Sequence, residues 1–211
     1  MNNVKIYPGV ELGKNVELGD YVILGMPFKG MPEGTRTIIG DGAVIRSHTV
    51  IYAGNTIGAG FQTGHGVLVR ECNVIGCRVS IGSHSVVEHH VTLEDGVRIH
   101  TQAFIPEFSH LETEAWVGPN VVFTNALYPL SPNVKNDLHG PRIGRRAKIG
   151  ANSTLLPGVV VGAEALIGAG SVVVRSVAAG KVVVGNPARV IKDIRELPYG
   201  TKEKADARSI R

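Results

Sequence analysis

The chain has 211 residues, of which 43% are hydrophobic, 5% aromatic and 19% charged, with 27 glycines and a net charge of +4. It is too apolar for a disordered chain, and no purely aliphatic run exceeds three residues, so no transmembrane span is expected; the opening residues also lack the apolar stretch of a secretory leader. Two cysteines, Cys72 and Cys77, cannot form a disulfide framework, so a cytoplasmic protein is expected, with a core built almost without rings.

In chain order, the first regularity is Ile6, Leu12, Leu18 and Leu24, six residues apart, each preceded two residues earlier by Val4, Val10, Val16 and Val22. Nine extra residues, centred on Met26–Pro32, interrupt the rhythm. It resumes at Ile39 and steps by six to Phe123. Fourteen of these fifteen positions are apolar, Thr63 being the exception, where composition alone would give about six. A smaller residue again lies two before each, as in Ala43, Thr49, Val67 and Ser85, with only Phe61 bulky. Glycine often follows directly, as in Ile39-Gly40, Ile57-Gly58 and Ile81-Gly82. Fourteen further residues, running through Tyr128-Pro129 to Arg142, break the pattern before Ile143, Ile149, Leu155, Val161, Ile167 and Val173. The chain then reads Gly185-Asn186-Pro187-Ala188-Arg189-Val190-Ile191 and ends in a polar tail, where short helices fit on each side of Leu197-Pro198-Tyr199-Gly200.

A period of six suits neither an amphipathic helix nor a long alternating strand. It suits a short strand, a tight turn and another short strand, with Gly and Asn at turns tolerating unusual backbone angles. Such a unit buries its apolar side only by stacking on its neighbours. If three hexads close one turn, residues 18 apart overlie one another, and Ile39, Ile57, Ile75, Leu93 and Leu111 form one column. At roughly 4.8 Å per strand the resulting prism is on the order of 40 Å long. The expected organisation is an all-β repeat domain over residues 1–191, with loops at 25–38 and 126–142, and a tail over 192–211.

Charge is uneven: residues 1–140 carry net −4 and residues 141–211 net +8. The basic final third predicts an anionic ligand, and a small phosphorylated molecule fits better than nucleic acid, because only Tyr199 offers a ring for stacking there.

The Ile-Gly hexads with small corner residues, closing in Gly185-Asn186-Pro187-Ala188-Arg189, resemble the hexapeptide-repeat acyltransferases over residues 4–191. The resemblance implies a left-handed parallel β-helix, against the usual crossover preference, assembled as a homotrimer with sites between subunits. Gly118-Pro119-Asn120-Val121-Val122-Phe123-Thr124-Asn125 with Tyr128-Pro129 is similar to the sugar-nucleotide N-acetyltransferases. That similarity implies transfer of an acetyl group from acetyl-CoA to the amino group of a nucleotide-linked amino sugar for surface polysaccharide, with no nucleic-acid partner and no membrane insertion.

Acyl transfer requires an acceptor held against the thioester carbonyl, donors for the oxyanion, and a route for the proton. Of eight histidines, His89 in Val87-Glu88-His89-His90-Val91-Thr92-Leu93 falls where related acyltransferases resemble it in carrying a catalytic histidine, with Glu88 or Glu94 to orient it. Asn125 then becomes a substrate-positioning residue and His100 a contact to the acceptor. Ala151 and Ala169 would let a pantetheine arm approach the backbone, and Lys181 and Arg189 would bind CoA phosphates. Competing expectations are sugar O-acetylation, a non-enzymatic scaffold subunit, and a metal hydratase similar to gamma-type carbonic anhydrases. The paired histidines of the last do not fall in phase here, and no metal ligand is assigned.

Overall fold

The computed structural model describes residues 3–198. Each hexad contributes a strand of two to four residues, from Lys5–Ile6 to Val172–Val173, and these, with two C-terminal strands, form three sheets of nine, eight and ten strands. Neighbours within a sheet come from successive turns of the coil and pair in parallel, 18 residues apart: Leu68 with Val86 and Val86 with Phe104 in one sheet, Val74 with Thr92 and Thr92 with His110 in the next. The expected column of Ile57, Ile75, Leu93 and Leu111 is therefore a real ladder. Where the rhythm breaks, Val10 pairs with Thr37 and Val122 with Thr154, one coil further on plus the inserted residues. Strands Ile23–Met26 and Thr37–Ile39 narrow the first excursion to residues 27–36. The second contains one 3-10 turn, Val134–Asn136, and ends on strand Arg142–Ile143.

In a two-residue strand one side chain faces in and the other out. Ile81, Val87, Leu93, Ile99 and Ile105 are at most 2% exposed, whereas the outward Val74 and Phe104 are 57% and 36% exposed. Stacked aliphatic ladders thus replace a ring-rich core. Ile6 and Leu12 are exposed because, among the described residues, their coil has a neighbour on one side only.

Thr63 is buried like the aliphatics it replaces. At most other positions the residue after a ladder position donates its N–H to the ladder carbonyl of the next coil, as Gly64 does to Ile81 at 2.7 Å. Arg46 instead donates its N–H to the Thr63 hydroxyl at 3.0 Å, and its guanidinium takes the Thr63 carbonyl. The hydroxyl also meets that of Thr49 at 3.2 Å. The polar exception is satisfied because it redirects one ladder bond.

The unusual backbone angles fall three residues after each ladder position, at Gly42, His48, Gly54, Gly60 and onward to Asn120, all with positive φ. The glycines directly after the ladder positions serve another purpose: their φ is ordinary, but a Cβ on Gly82 would lie 2.4 Å from the Thr101 nitrogen, and one on Gly150 2.5 Å from that of Ala169. They admit the backbone of the next coil.

Strand Lys181–Gly185 extends the ten-stranded sheet in parallel, then turns through Asn186-Pro187 into the antiparallel strand Ala188–Asp193. That strand runs two residues past the expected boundary at 191. The 3-10 turn Ile194–Glu196 follows, capped by Asp193, and is the short helical element expected before Leu197. The element expected after Gly200 lies outside the described residues. Among those residues no helix is long and apolar enough to cross a membrane.

Candidate active site

The prism has three edges, and on each the 18-residue repeat stacks turn residues into columns. Along the edge after the nine-stranded sheet, Glu71, His89, Glu107 and Asn125 occupy one such column on successive coils. Glu107 is the link between them. Its Oε1 lies 3.5 Å from His89 Nε2, and its Oε2 accepts a hydrogen bond from Asn125 Nδ2 at 2.5 Å. His89 and Asn125, expected separately from the sequence, therefore share one carboxylate. Since an ionised carboxylate only accepts, the proton of His89 belongs on Nε2, which leaves its Nδ1 lone pair facing His90 Nδ1 at 2.8 Å. His90 is exposed and Phe108 packs near both imidazoles, at 5.9 Å from each ring. Phe108 has φ +63°, the angle common to its position in the hexads, and uncommon for a bulky residue.

Below this group Arg70 forks onto Glu71 at 2.8 and 2.9 Å and reaches Glu88 at 3.2 Å. Burial is the largest single influence on the Glu71 carboxyl and pulls it upward, but the Arg70 hydrogen bond, a backbone hydrogen bond and the charges of Arg70 and His89 together hold the group below its usual range. For Glu88 burial is the largest influence and, with Glu107 and Glu71 nearby, raises its carboxyl despite Arg70. Burial, then Glu71, also pushes the Cys72 thiol up, away from thiolate character. Glu88 therefore serves Arg70, and Glu94 sits at the next corner, where it accepts from His110 at 2.9 Å and from Thr113. Neither orients His89; Glu107, one full coil on, does.

The remaining expected residues lie elsewhere. His100, Ala151 and Ala169 share the edge after the ten-stranded sheet, and the His100 ring packs 4.7 Å from that of Trp116. Lys181 and Arg189 lie on the terminal hairpin. Lys181 Nζ donates to Asp193 at 3.2 Å, and Asp193, held by Arg195 foremost and then by Lys181, has its carboxyl driven far below the usual range. Arg189 is exposed, with its guanidinium on the carbonyl of Ala188. The face of the nine-stranded sheet separates the His89 edge from the His100 edge. Among the described residues no group of three or more His, Cys, Asp or Glu side chains converges to hold a metal ion. Glu107 and Phe108 are the residues that sequence reasoning missed; stepping 18 from His89 lands on Glu107 and 18 more on Asn125, so the stacking rule contained the signal.

The family model for "Bacterial transferase hexapeptide (six repeats)" matches residues 140–175. The bifunctional protein GlmU of Clostridioides difficile is 29% identical over 192 residues, covering 91% of this chain and 39% of that protein. A 2,3,4,5-tetrahydropyridine-2,6-dicarboxylate N-acetyltransferase of Clostridium perfringens is 43% identical over 58 residues, 28% of this chain and 23% of that protein. The chain thus spans well under two thirds of these relatives' length. Among solved structures, the UDP-N-acetylglucosamine acyltransferase from Campylobacter jejuni superimposes with a TM-score of 0.55 at 19% identity, over 97% of this chain and 79% of that one. With hexads in register around three sheets, this chain has the left-handed parallel β-helix fold, and residues 140–175 within it match the transferase hexapeptide repeats.

Proposed function

We propose that this chain is an acyltransferase that moves an acetyl group from acetyl-CoA to the amino group of a nucleotide-linked amino sugar, as a homotrimer serving surface polysaccharide synthesis. The observation that carries the reading is the His89–Glu107–Asn125 column, which sets a base, its orienting carboxylate and a neutral amide on one open edge. The acceptor amine attacks the thioester carbonyl carbon, the C–S bond breaks as the tetrahedral intermediate collapses, and CoA leaves as thiolate. The amine proton passes to His89, whose imidazolium then rests against Glu107. Exposed His90 must turn aside to free the His89 lone pair. Asn125 spends one N–H on Glu107 and keeps a second for the acceptor or the oxyanion.

Acetyl transfer is supported by the stretch shared with an N-acetyltransferase, and the sugar nucleotide by the Phe123-Thr124-Asn125…Tyr128-Pro129 segment. Assembly is supported by the nine-stranded sheet, whose outer side presents Leu68, Val86, Phe104 and Val122 in adjacent strands. A second copy on that face would close a groove beside the His89 edge. Arg189 is the cation left open toward the CoA phosphates, since Lys181 shares Asp193.

The test is thiol release from acetyl-CoA against a panel of nucleotide-linked amino sugars. His89→Ala is expected to lower kcat by about 10²- to 10⁴-fold. Full rate with every active acceptor would remove His89 from proton transfer, and no thiol release with any acceptor would remove the reading itself.

A further inference from the structure

Trp116 is the chain's one tryptophan, and it faces outward on the ten-stranded sheet: Val117 beside it is fully buried, while Trp116 is half-buried. With Glu114, Arg146, Lys148 and Leu166 it lines a furrow of about 440 Å³, within the roughly 300–1,000 Å³ of small-molecule sites. The strand register places Arg98 on one side of the ring and Lys148 on the other. Arg98 and His100 also line an adjoining hollow of about 370 Å³, and the tilted contact of His100 with Trp116 joins the two.

The charges around the ring are predominantly positive. Arg146 pairs with Glu114 and lies 3.7 Å from Glu164, and Arg145 and Lys148 each lie 4.0 Å from the same Glu164. Arg98 has no ion pair among the described residues. Arg98, Arg146 and Lys148 therefore stand beside an accessible indole, with Glu114 and Glu164 as the carboxylates that partner two of them. A flat aromatic surface between guanidinium and ammonium groups suits a ligand that is planar at one end and anionic at the other. A second copy of this chain suits it less, because the outer face here carries Gln62, Ser80, Arg98 and Lys148 in adjacent strands, while the apolar exterior belongs to the nine-stranded sheet.

We propose that this furrow binds a nucleoside diphosphate, with the base stacked on Trp116 and the diphosphate on Arg98 and the neighbouring cations. The inference rests on the reading that the acceptor is nucleotide-linked, and it adds where the nucleotide is held. Both the acceptor's carrier and CoA contain such a group, so the test separates them.

Because Trp116 is the sole indole of these 211 residues, its emission in this chain reports the site directly. Titration with UDP, GDP and CoA is compared with uridine and with inorganic pyrophosphate. Saturable quenching by a nucleoside diphosphate is expected, with half-saturation at least tenfold lower than for uridine or pyrophosphate and raised about tenfold in Arg98→Ala. Quenching by UDP or GDP assigns the furrow to the acceptor, and quenching by CoA alone assigns it to the donor; both uphold a nucleoside diphosphate site. No quenching by any nucleotide overturns the proposal. So does emission that changes only with protein concentration, which would place the ring between copies. Calorimetry on Trp116→Ala, whose outward position leaves the buried ladders intact, must show lost UDP, GDP or CoA binding. Thiol release that proceeds with a silent Trp116 removes the furrow alone. Quenching without thiol release from any acceptor removes the transfer reading and leaves the furrow standing.

Discussion

Glu107 offers the sharpest test of the site, because its two contacts can be separated by substitution. Glu107→Gln keeps an oxygen for Asn125 but removes the negative charge 3.5 Å from His89 Nε2. In the proposed transition state His89 gains a proton, so what is lost is an attraction between unit charges. At 3.5–4 Å and an effective dielectric near 20 that attraction is about 4 kcal/mol before screening. Side-chain exposures of 27% and 23% leave solvent at the pair, and halving the figure gives about 2 kcal/mol, or roughly 30-fold in kcat. The acceptor KM should hardly move in Glu107→Gln. Glu107→Ala should cost more, about 10²-fold or beyond, and raise KM, because it also releases Asn125 from its charge-assisted bond. Thiol release at saturating acetyl-CoA, followed from pH 6 to 9, reads both parameters, and an unchanged thermal midpoint separates chemistry from folding. In the His89→Ala background Glu107→Gln should add almost nothing, since the carboxylate acts through the imidazole. A wild-type kcat in Glu107→Gln alongside an impaired His89→Ala would refute this reasoning.

Leu93→Ala, in a fully buried ladder between Ile75 and Leu111, should destabilise by about 2–5 kcal/mol, read as a lower urea midpoint at constant slope. Thr63→Val strands the Arg46 N–H and removes the hydroxyl met by Thr49, so a loss of about 1–2 kcal/mol is expected in the same melts; a gain would mean that the ladder closes on the carbonyl instead. Hydrogen bonds from His110 foremost, then Thr113, hold the Glu94 carboxyl below its usual range. A lowered folded pKa gives stability that is present above the unfolded value and lost as pH falls through the folded one. Glu94→Gln should therefore melt earlier than wild type at pH 7, and the two curves should converge on acidification below the depressed Glu94 pKa.

The ladders were legible in the sequence because burial constrains them directly: Ile81, Val87 and Leu93 must be apolar and must recur with the coil, so spacing alone locates them. The two excursions were legible for the same reason, as breaks after which the phase resumes at Ile39 and Ile143. Edge residues obey no such constraint. Any residue that tolerates the turn fits at positions 89, 107 and 125, so Glu107 looked like an ordinary exposed acid until the coil placed it between His89 and Asn125. Glu88 and Glu94 were attractive as orienting groups because they are close in sequence, but Glu88 is held by Arg70, and Glu94, five residues beyond His89, lies at the next corner, whereas 18 residues lead back to the same one. The adjacent glycines misled in a different way. Composition shows that a side chain is missing at Gly82 but not whether φ or a neighbouring backbone forbids it, and only the approach of Thr101 decides.

The same geometry explains why a single prism is poorly suited to acyl transfer on its own. A stacked coil fills its interior with aliphatics and presents convex edges, so the His89–Glu107–Asn125 column is open to water on its outer side. An open imidazole–carboxylate pair in solvent gains little electrostatic advantage, because water screens the charge that Glu107 supplies. A second wall is needed, and the chain's own folding places one beside the column: the outward row of Leu68, Val86, Phe104 and Val122 adjoins the His89 edge, and its apolar exterior favours burial against another copy. Contact there would dry the groove, strengthen the His89–Glu107 interaction, and bring a neighbour's edge toward the acceptor. In the proposed assembly, catalytic strength and association are coupled through one sheet face, because the outward apolar row borders the pair that a lower dielectric would strengthen.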